Sequence, residues 1–277
     1  MNEGGTSRVA VITGATGGVG AAVARELSRA GYSLVLTAPS MEKLSALASQ
    51  LKGPCTVIEG NLSDETLAET LLYAALDRFG RCDVCFNNGA LFEAGIIETV
   101  DIERLSSMVR VNVEGSFRFA YVFLKHFVSE GTGHLVNISS AVGSSSKPTP
   151  YAATQRAIEV LSDALAAELE GTEVLVSCIQ PGLVKTGRHH RWEIAGYPLE
   201  PEDFARMVLF ILEKPEARHR TETLEPAGLQ EGAANEAVAE FPEHAGKAEQ
   251  AGGTGGWEFA GEDADDAADE GIVQDEV

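Results

Sequence analysis

Short apolar runs recur along the chain, and between them lie longer stretches whose apolar residues fall at helical spacing. The first run, Arg8–Thr13 (RVAVIT), is β-branched and ends in glycines, the look of a strand buried on both faces. Thr13–Gly20 (TGATGGVG) follows, then a helical pattern through Val23, Leu27 and Ala30 that Gly31 closes in the usual C-terminal position. The alternation continues with strand Ser33–Thr37, helix Met41–Leu51, strand Cys55–Glu59, helix Asp64–Phe79 and a strand centred on Val84–Phe86. A long helical stretch covers Asp101–Phe127, with a break near Val111–Gly115. Strand His134–Ser139, helix Tyr151–Leu169, strand Val174–Ile179, helix Pro201–Leu212 and a short strand Glu222–Leu224 complete the order. Within Tyr151–Leu169 the apolar positions are Ala157, Val160, Leu161, Ala164 and Leu165. Continuously apolar strands in strict alternation with helices predict an α/β fold, a doubly wound parallel sheet covered on both faces.

The pattern stops near Pro226. Residues 227–277 are rich in Gly, Ala, Glu and Asp and hold 14 acids against one base, Lys247, a net −13 of the chain's −21. Such a segment cannot bury enough apolar surface to offset its chain entropy. The reading is therefore one folded domain over residues 1–226 and a disordered acidic tail over 227–277, with Val238, Phe241, Trp257 and Phe259 as isolated anchors in the tail. An apolar fraction of 44% is ample for one sizeable core.

Charge and cysteine usage exclude several function classes. The body carries 28 acids and 20 bases, net −8, so neither part offers the basic stripe that nucleic acid or an anionic membrane requires. No run approaches the roughly 18 apolar residues of a membrane span. MNEGGTSR lacks the cationic-then-apolar pattern of a secretory leader, and a cytoplasmic protein is expected. Cys82 and Cys85 have CxxC spacing in the apolar run CDVCFNN, where an odd separation assigns them to opposite strand faces. With no second such pair, buried structural thiols and no metal site are expected.

Candidate chemistry begins at Gly14, Gly18 and Gly20, between a strand and a helix. A dinucleotide pyrophosphate needs close backbone N–H groups and the positive end of a helix dipole, and glycine alone lets the backbone come near enough. In this form TG-x3-G-x-G resembles the short-chain dehydrogenase/reductase family. So do Asn87-Asn88-Gly89-Ala90, Asn112, Ser140, Tyr151 and Pro181-Gly182, over about residues 7–226. The resemblance implies a Rossmann-type sheet of about seven strands, a nicotinamide cofactor, and hydride transfer between that cofactor and a small carbonyl or hydroxy compound. It also implies cofactor contacts from Gly14, Thr16, Gly18, Val19, Gly20, Thr37, Asn61, Asn88, Gly89, Pro181, Gly182 and Thr186. The family's usual NNAG is NNGA here, and Asn61 stands where an aspartate is usual. An acid ending the second strand would read the ribose hydroxyls of NAD and repel a 2′-phosphate. Thr37-Ala38-Pro39-Ser40 contains none, and also no arginine, so the reading leans to NADP without deciding against NAD.

By the same resemblance Tyr151 is the proton donor, Ser140 orients the substrate oxygen, and Asn112 anchors a water relay. Ser140 is preferred to Ser139 because it lies three residues before Gly143. The family places a lysine four residues after the tyrosine, one turn along the same helix face, to hold the ribose and lower the tyrosine pKa. Gln155 occupies that position. A cation about 5 Å from a phenol at an effective dielectric of about 20 is worth roughly 3 kcal/mol, about two pKa units on a group starting near 10. Arg156, Lys147 and Lys185 are the nearby cations, and adjacent helix positions point about 100° apart, which sets Arg156 aside.

Three readings follow. The first is an NAD(P)-dependent oxidoreductase. The second is a catalytically impaired cofactor-binding scaffold that interacts through its tail. The third, a sugar-nucleotide epimerase-like protein, is disfavoured by the short region after Pro181. His189, His190, Arg191 and Trp192 fall where relatives cap the substrate, and the Leu91–Gly95 loop offers apolar contacts of unknown partner. Helical stretches Asp101–Phe127 and Tyr151–Leu169 are the expected self-association surface of a homodimer or homotetramer.

Overall fold

The computed structural model of the chain describes residues 7–93, 97–98, 100–140, 149–182, 184–185, 199–214 and 221–224. The acidic segment 227–277 therefore lies outside the described residues. Seven strands form one sheet: β1 (Val9–Ile12), β2 (Ser33–Ala38), β3 (Cys55–Glu59), β4 (Val84–Asn87), β5 (Gly133–Ile138), β6 (Val174–Pro181) and β7 (Thr221–Leu224). All pairings are parallel, in the order β3-β2-β1-β4-β5-β6-β7. The chain winds outward from β1 to β3, then returns to build β4 to β7 on the other side. The carboxyl ends of β1 and β4 thus flank the switch point where such sheets open a ligand crevice.

Among the described residues seven α-helices cover the faces: α1 (Gly18–Arg29), α2 (Met41–Ala48), α3 (Leu67–Phe79), α4 (Ile102–Val109), α5 (Ser116–Glu130), α6 (Pro150–Glu168) and α7 (Pro201–Glu213). Successive strand residues point to opposite sides. Ala10, Ile12, Leu34, Leu36 and Phe86 pack with α1, α2 and α7 on one face. Val9, Val11, Val35, Leu135 and Val176 pack with α3, α5 and α6 on the other. Each fully buried large apolar side chain contributes about 1.5–3 kcal/mol.

The expected break in the long helical stretch is real: α4 and α5 are joined by a π-helical turn, Arg110–Gly115. Gly115 permits it, because a Cβ there would lie 2.5 Å from the Leu62 carbonyl oxygen. Helix α3 starts at Leu67 rather than at Asp64, since the Asp64 carboxylate accepts the Thr66 N–H and hydroxyl, both at 2.9 Å, in a turn of its own.

Two expectations about faces are corrected. Cys82 precedes β4 rather than lying in it, so Cys82 and Cys85 share one core layer instead of facing opposite ways. Burial pushes the Cys55 thiol up to about 11 and the Cys85 thiol well above its ordinary value. On α6 only Leu165 of the expected apolar positions is buried, and Val160 is 57% exposed. The inward face consists of Tyr151, Ala152, Thr154, Gln155, Ile158, Glu159, Ser162 and Leu165, half of it polar or charged.

Candidate functional site

Two structures meet at the switch point, one made of backbone and one of side chains. The backbone one begins where β1 ends. Thr13 N–H donates to the Phe86 carbonyl at 3.0 Å, and the Thr13 hydroxyl oxygen accepts the N–H groups of both Asn88 and Gly89 at 2.9 Å. The Asn88 side-chain amide returns two donors, to the Thr13 and Gly14 carbonyls at 3.2 Å. The glycine turn and the turn after β4 are therefore tied into one unit. Thr13, the first residue of the TG-x3-G-x-G motif, thus ties the two turns together through its hydroxyl, a part that its place in the motif does not announce.

Glycine is required where this unit closes. Gly14 has φ +59°, and a Cβ there would lie 2.8 Å from the Gly89 Cα. A Cβ on Gly20 would lie 2.1 Å from the Gly14 carbonyl oxygen. The exchanged order in NNGA has a local cause, for a Cβ on Gly89 would meet the Leu62 side chain at 2.9 Å and the Gly14 nitrogen at 3.3 Å. The first turn of α1, holding Gly18, Val19 and Gly20 just after Thr16, has no side-chain cap, so its amides and dipole face the crevice unneutralised. Asn61, after β3, spends its side-chain oxygen on the Ser63 N–H (3.0 Å) and hydroxyl (2.8 Å), holding its own loop.

The side-chain structure sits at the ends of β5 and α6. Thr149 caps α6 by accepting the Ala152 N–H at 3.1 Å, with Pro150 in the first helical turn. Tyr151 is thereby set on the inward face, 3% exposed, with Phe92 packed edge-on against its ring at 5.0 Å. The Leu91–Gly95 loop thus finds its partner in Tyr151 through Phe92. Asn112, in the π-helical turn, donates to the Leu91 carbonyl (2.8 Å) and the Thr154 hydroxyl (3.0 Å) and accepts the Leu91 N–H (2.7 Å). Both its amide hydrogens are committed to the protein. Its side chain therefore fixes the Phe92 loop against α6.

Ser139 and Ser140 follow β5. The Ser139 hydroxyl donates to a Glu159 carboxylate oxygen at 2.7 Å and accepts the Ser140 N–H at 2.5 Å. Ser139 is thus bound inward, and Ser140 is 8% exposed beside it. Glu159, fully buried two turns beyond Tyr151, also holds the Arg156 guanidinium. A charge on an amphipathic helix reads in sequence as solvated, so nothing there announced this one. Beneath them Asn87 donates to Asn137 (3.0 Å) and Asn137 to Ser162 (2.9 Å), a buried polar ladder crossing β4, β5 and α6. Burial pushes the neighbouring Cys178 thiol up to about 12, against the lowering effect of its hydrogen bond with Ser162.

Gln155 is 1% exposed, and among the described residues its side-chain oxygen has no hydrogen-bond partner. An unsatisfied buried acceptor costs about 1–3 kcal/mol, so the group suits a ligand hydroxyl that would donate to it. Thr37 Oγ1 and Asn88 Oδ1 are likewise buried and unpartnered. Of the cations weighed as substitutes for a lysine, Arg156 is held by Glu159 and Lys185 pairs with Glu200 at 3.0 Å. Lys147 lies outside the described residues, as do Gly143, Thr186 and His189–Trp192. Pro181 ends β6 and Gly182 follows it, on the same carboxyl edge of the sheet. The donors at the α1 terminus, the glycine cradle and the orphaned acceptors fit an extended dinucleotide. No His, Cys, Asp or Glu cluster among the described residues could hold a metal. No helix among them is long and apolar enough to cross a membrane.

Comparison with known proteins agrees with this geometry. A short chain dehydrogenase family profile matches residues 8–194. An uncharacterized oxidoreductase of Staphylococcus epidermidis is 30% identical over 211 residues, covering 75% of this chain and 92% of its own. Actinorhodin polyketide ketoreductase, solved with NADPH, superposes with a TM-score of 0.69 at 27% identity, over 78% of this chain and 94% of its own. An alcohol dehydrogenase of the archaeon Thermococcus sibiricus, complexed with 5-hydroxy-NADP, gives 0.68 at 30% identity, over 79% and 95%.

Proposed function

The chain belongs to the short chain dehydrogenase family, and from that premise we propose that it is a nicotinamide-dependent oxidoreductase of small carbonyl or hydroxy compounds. The observation that carries the reading is the buried Tyr151 under Phe92, one turn from an orphaned Gln155 oxygen. The α1 terminus and the unit made by Thr13, Gly14, Asn88 and Gly89 would hold the pyrophosphate side of the cofactor, and Gln155 would accept a ribose hydroxyl. When bound, the reduced nicotinamide supplies hydride to the carbonyl carbon.

The rest is done by this chain. Ser140 donates a hydrogen bond to the carbonyl oxygen, and Tyr151 gives that oxygen its proton as negative charge develops. Phe92 and the buried surroundings of Tyr151 exclude water from that step. Gln155 sets the electrostatics of that step. A lysine at its position would stabilise the phenolate by its charge, and a neutral amide does not. Proton transfer through Tyr151 is therefore slowed in both directions, because a catalyst leaves the equilibrium between carbonyl and alcohol unchanged.

The test is a panel of small aldehydes, ketones and keto acids with NADH or NADPH at pH 7, together with fluorescence titration of each cofactor. Saturable binding with slow reduction of at least one substrate is expected. Saturable binding with no turnover, in the wild type and in Gln155→Lys alike, would favour a scaffold that has given up chemistry.

Apolar side chains left exposed on the outer faces of α4, α5 and α6, among them Val109, Tyr121, Val128 and Val160, support assembly as a homodimer or homotetramer. A monomeric mass by light scattering would contradict it. Four unpaired cysteines fit a reducing compartment, and we place the protein in the cytoplasm. Residues 1–226 form the catalytic unit in this reading, and 227–277 an acidic appendage.

A further inference from the structure

The loop that would receive the adenosine ribose contains no acid in its own sequence, yet the fold brings one to it. In the parallel pairing of β2 with β3, Glu59 is the register partner of Ala38, the last residue of β2. Adjacent strands lie about 4.8 Å apart, so Glu59 stands beside the strand end from which family members read the ribose. Its position is fixed twice. The Gly60 N–H donates to the Ala38 carbonyl at 3.1 Å, and Glu59 Oε1 accepts the Met41 N–H at 2.9 Å. Among the described residues Oε2 accepts no hydrogen bond. The buried Thr37 hydroxyl oxygen in the same strand end also has no partner.

This arrangement changes what the first turn of α2 can bind. Helix N-termini attract phosphate through free amides and a positive dipole. Here Glu59 takes the Met41 amide, the Ser40 hydroxyl takes the Lys43 amide at 3.3 Å, and the carboxylate offsets the dipole. Lys43 is the one base in that turn and Glu42 stands next to it. Residues 37–41 supply no cation, and neither does the glycine turn 13–20. A 2′-phosphate carries about −1.5 to −2 charges and would meet Glu59 with nothing dedicated to neutralise it. A ribose bearing free hydroxyls can instead donate to Oε2.

We infer that Glu59, supplied by β3, takes the part of an acid at the end of β2 and makes the protein select NAD(H) over NADP(H). The inference rests on the dinucleotide-binding reading above and reverses the preference that the loop sequence alone favours. It also sets this chain apart from two of its solved neighbours, whose structures carry NADPH and an NADP analogue.

The experiment titrates full-length protein with NADH and with NADPH, following cofactor fluorescence, at low and at moderate salt. Wild type should bind NADH at least about tenfold more tightly than NADPH, with the gap narrowing as salt screens the repulsion. Glu59→Gln keeps the size and the acceptor for Met41 but removes the charge. It should tighten NADPH by about tenfold while changing NADH by less than about threefold. Glu59→Lys should reverse the order. Tighter binding of NADPH by wild type, or an NADH-to-NADPH ratio unmoved by Glu59→Gln and Glu59→Lys, would overturn the inference and leave the dinucleotide reading standing. If wild type binds neither cofactor, the dinucleotide reading itself fails and takes the inference with it.

Discussion

The two halves of the site are built from different materials. The half formed by residues 13–20 and 87–90 is a backbone device. Its ligand-facing groups are amides and a helix end, it has no room for a Cβ at Gly14, Gly20 and Gly89, and the side chains of Thr13 and Asn88 serve only to tie its turns together. The half formed by β5, α6 and the Phe92 loop is a side-chain device, in which Ser139, Glu159, Asn112 and Thr154 hold Ser140 and Tyr151 in place. A backbone device tolerates almost no substitution at its glycines, since any side chain occupies the ligand's or the loop's own space. A side-chain device can exchange a member and keep its shape while its electrostatics change. Gln155 is that kind of exchange: the helix face and burial are kept, and the charge is gone.

The largest effect is expected where the two devices are most unlike. In Gly20→Ala the new Cβ falls 2.1 Å from the Gly14 carbonyl oxygen, and the turn must shift. Overpacking of about 3 kcal/mol corresponds to roughly a hundredfold or greater loss of dinucleotide affinity, measured by fluorescence titration. Binding within threefold of wild type would show that the cradle is not the binding element.

A smaller effect separates the halves. Glu159→Leu leaves the Ser139 hydroxyl and the Arg156 guanidinium without their buried acceptor, a cost of about 1–3 kcal/mol. In a domain of this size that lowers Tm by about 2–4 °C per kcal/mol in a thermal melt. Cofactor affinity should stay within about threefold, and Glu159→Gln, which keeps the volume and an acceptor, should recover most of the loss. A parallel fall in cofactor affinity would mean that the two halves are one cooperative unit.

The same contrast explains what the sequence could reveal. The glycine spacing, the strand-helix alternation and the break before Gly115 are local properties, and local properties are written in consecutive residues. Thr13, Glu159 and Glu59 act across long separations. Thr13 reaches Asn88, Glu159 reaches Ser139, and Glu59 reaches Met41 through the β2–β3 register, which no stretch of residues states by itself. The apolar periodicity of α6 points mostly away from the core, with Leu165 its one buried member, because the inward face is half polar. Counting from Cys82 to Cys85 misassigns their faces because Cys82 is not yet strand. Departures from local rules fell mainly at the site, where polar groups are buried for function rather than for packing.

The central claim is that Tyr151 works here beside the neutral Gln155 rather than beside a lysine at that position, and a single substitution tests it. Gln155→Lys and wild type are compared for reduction of a carbonyl found in the panel and for oxidation of the matching alcohol, between pH 6 and 10. The lysine is expected to raise kcat/KM at pH 7 by up to about a hundredfold in both directions, as their common equilibrium requires, and to lose that advantage as the pH nears 10. No gain in either direction, or a gain that does not change with pH, would contradict it.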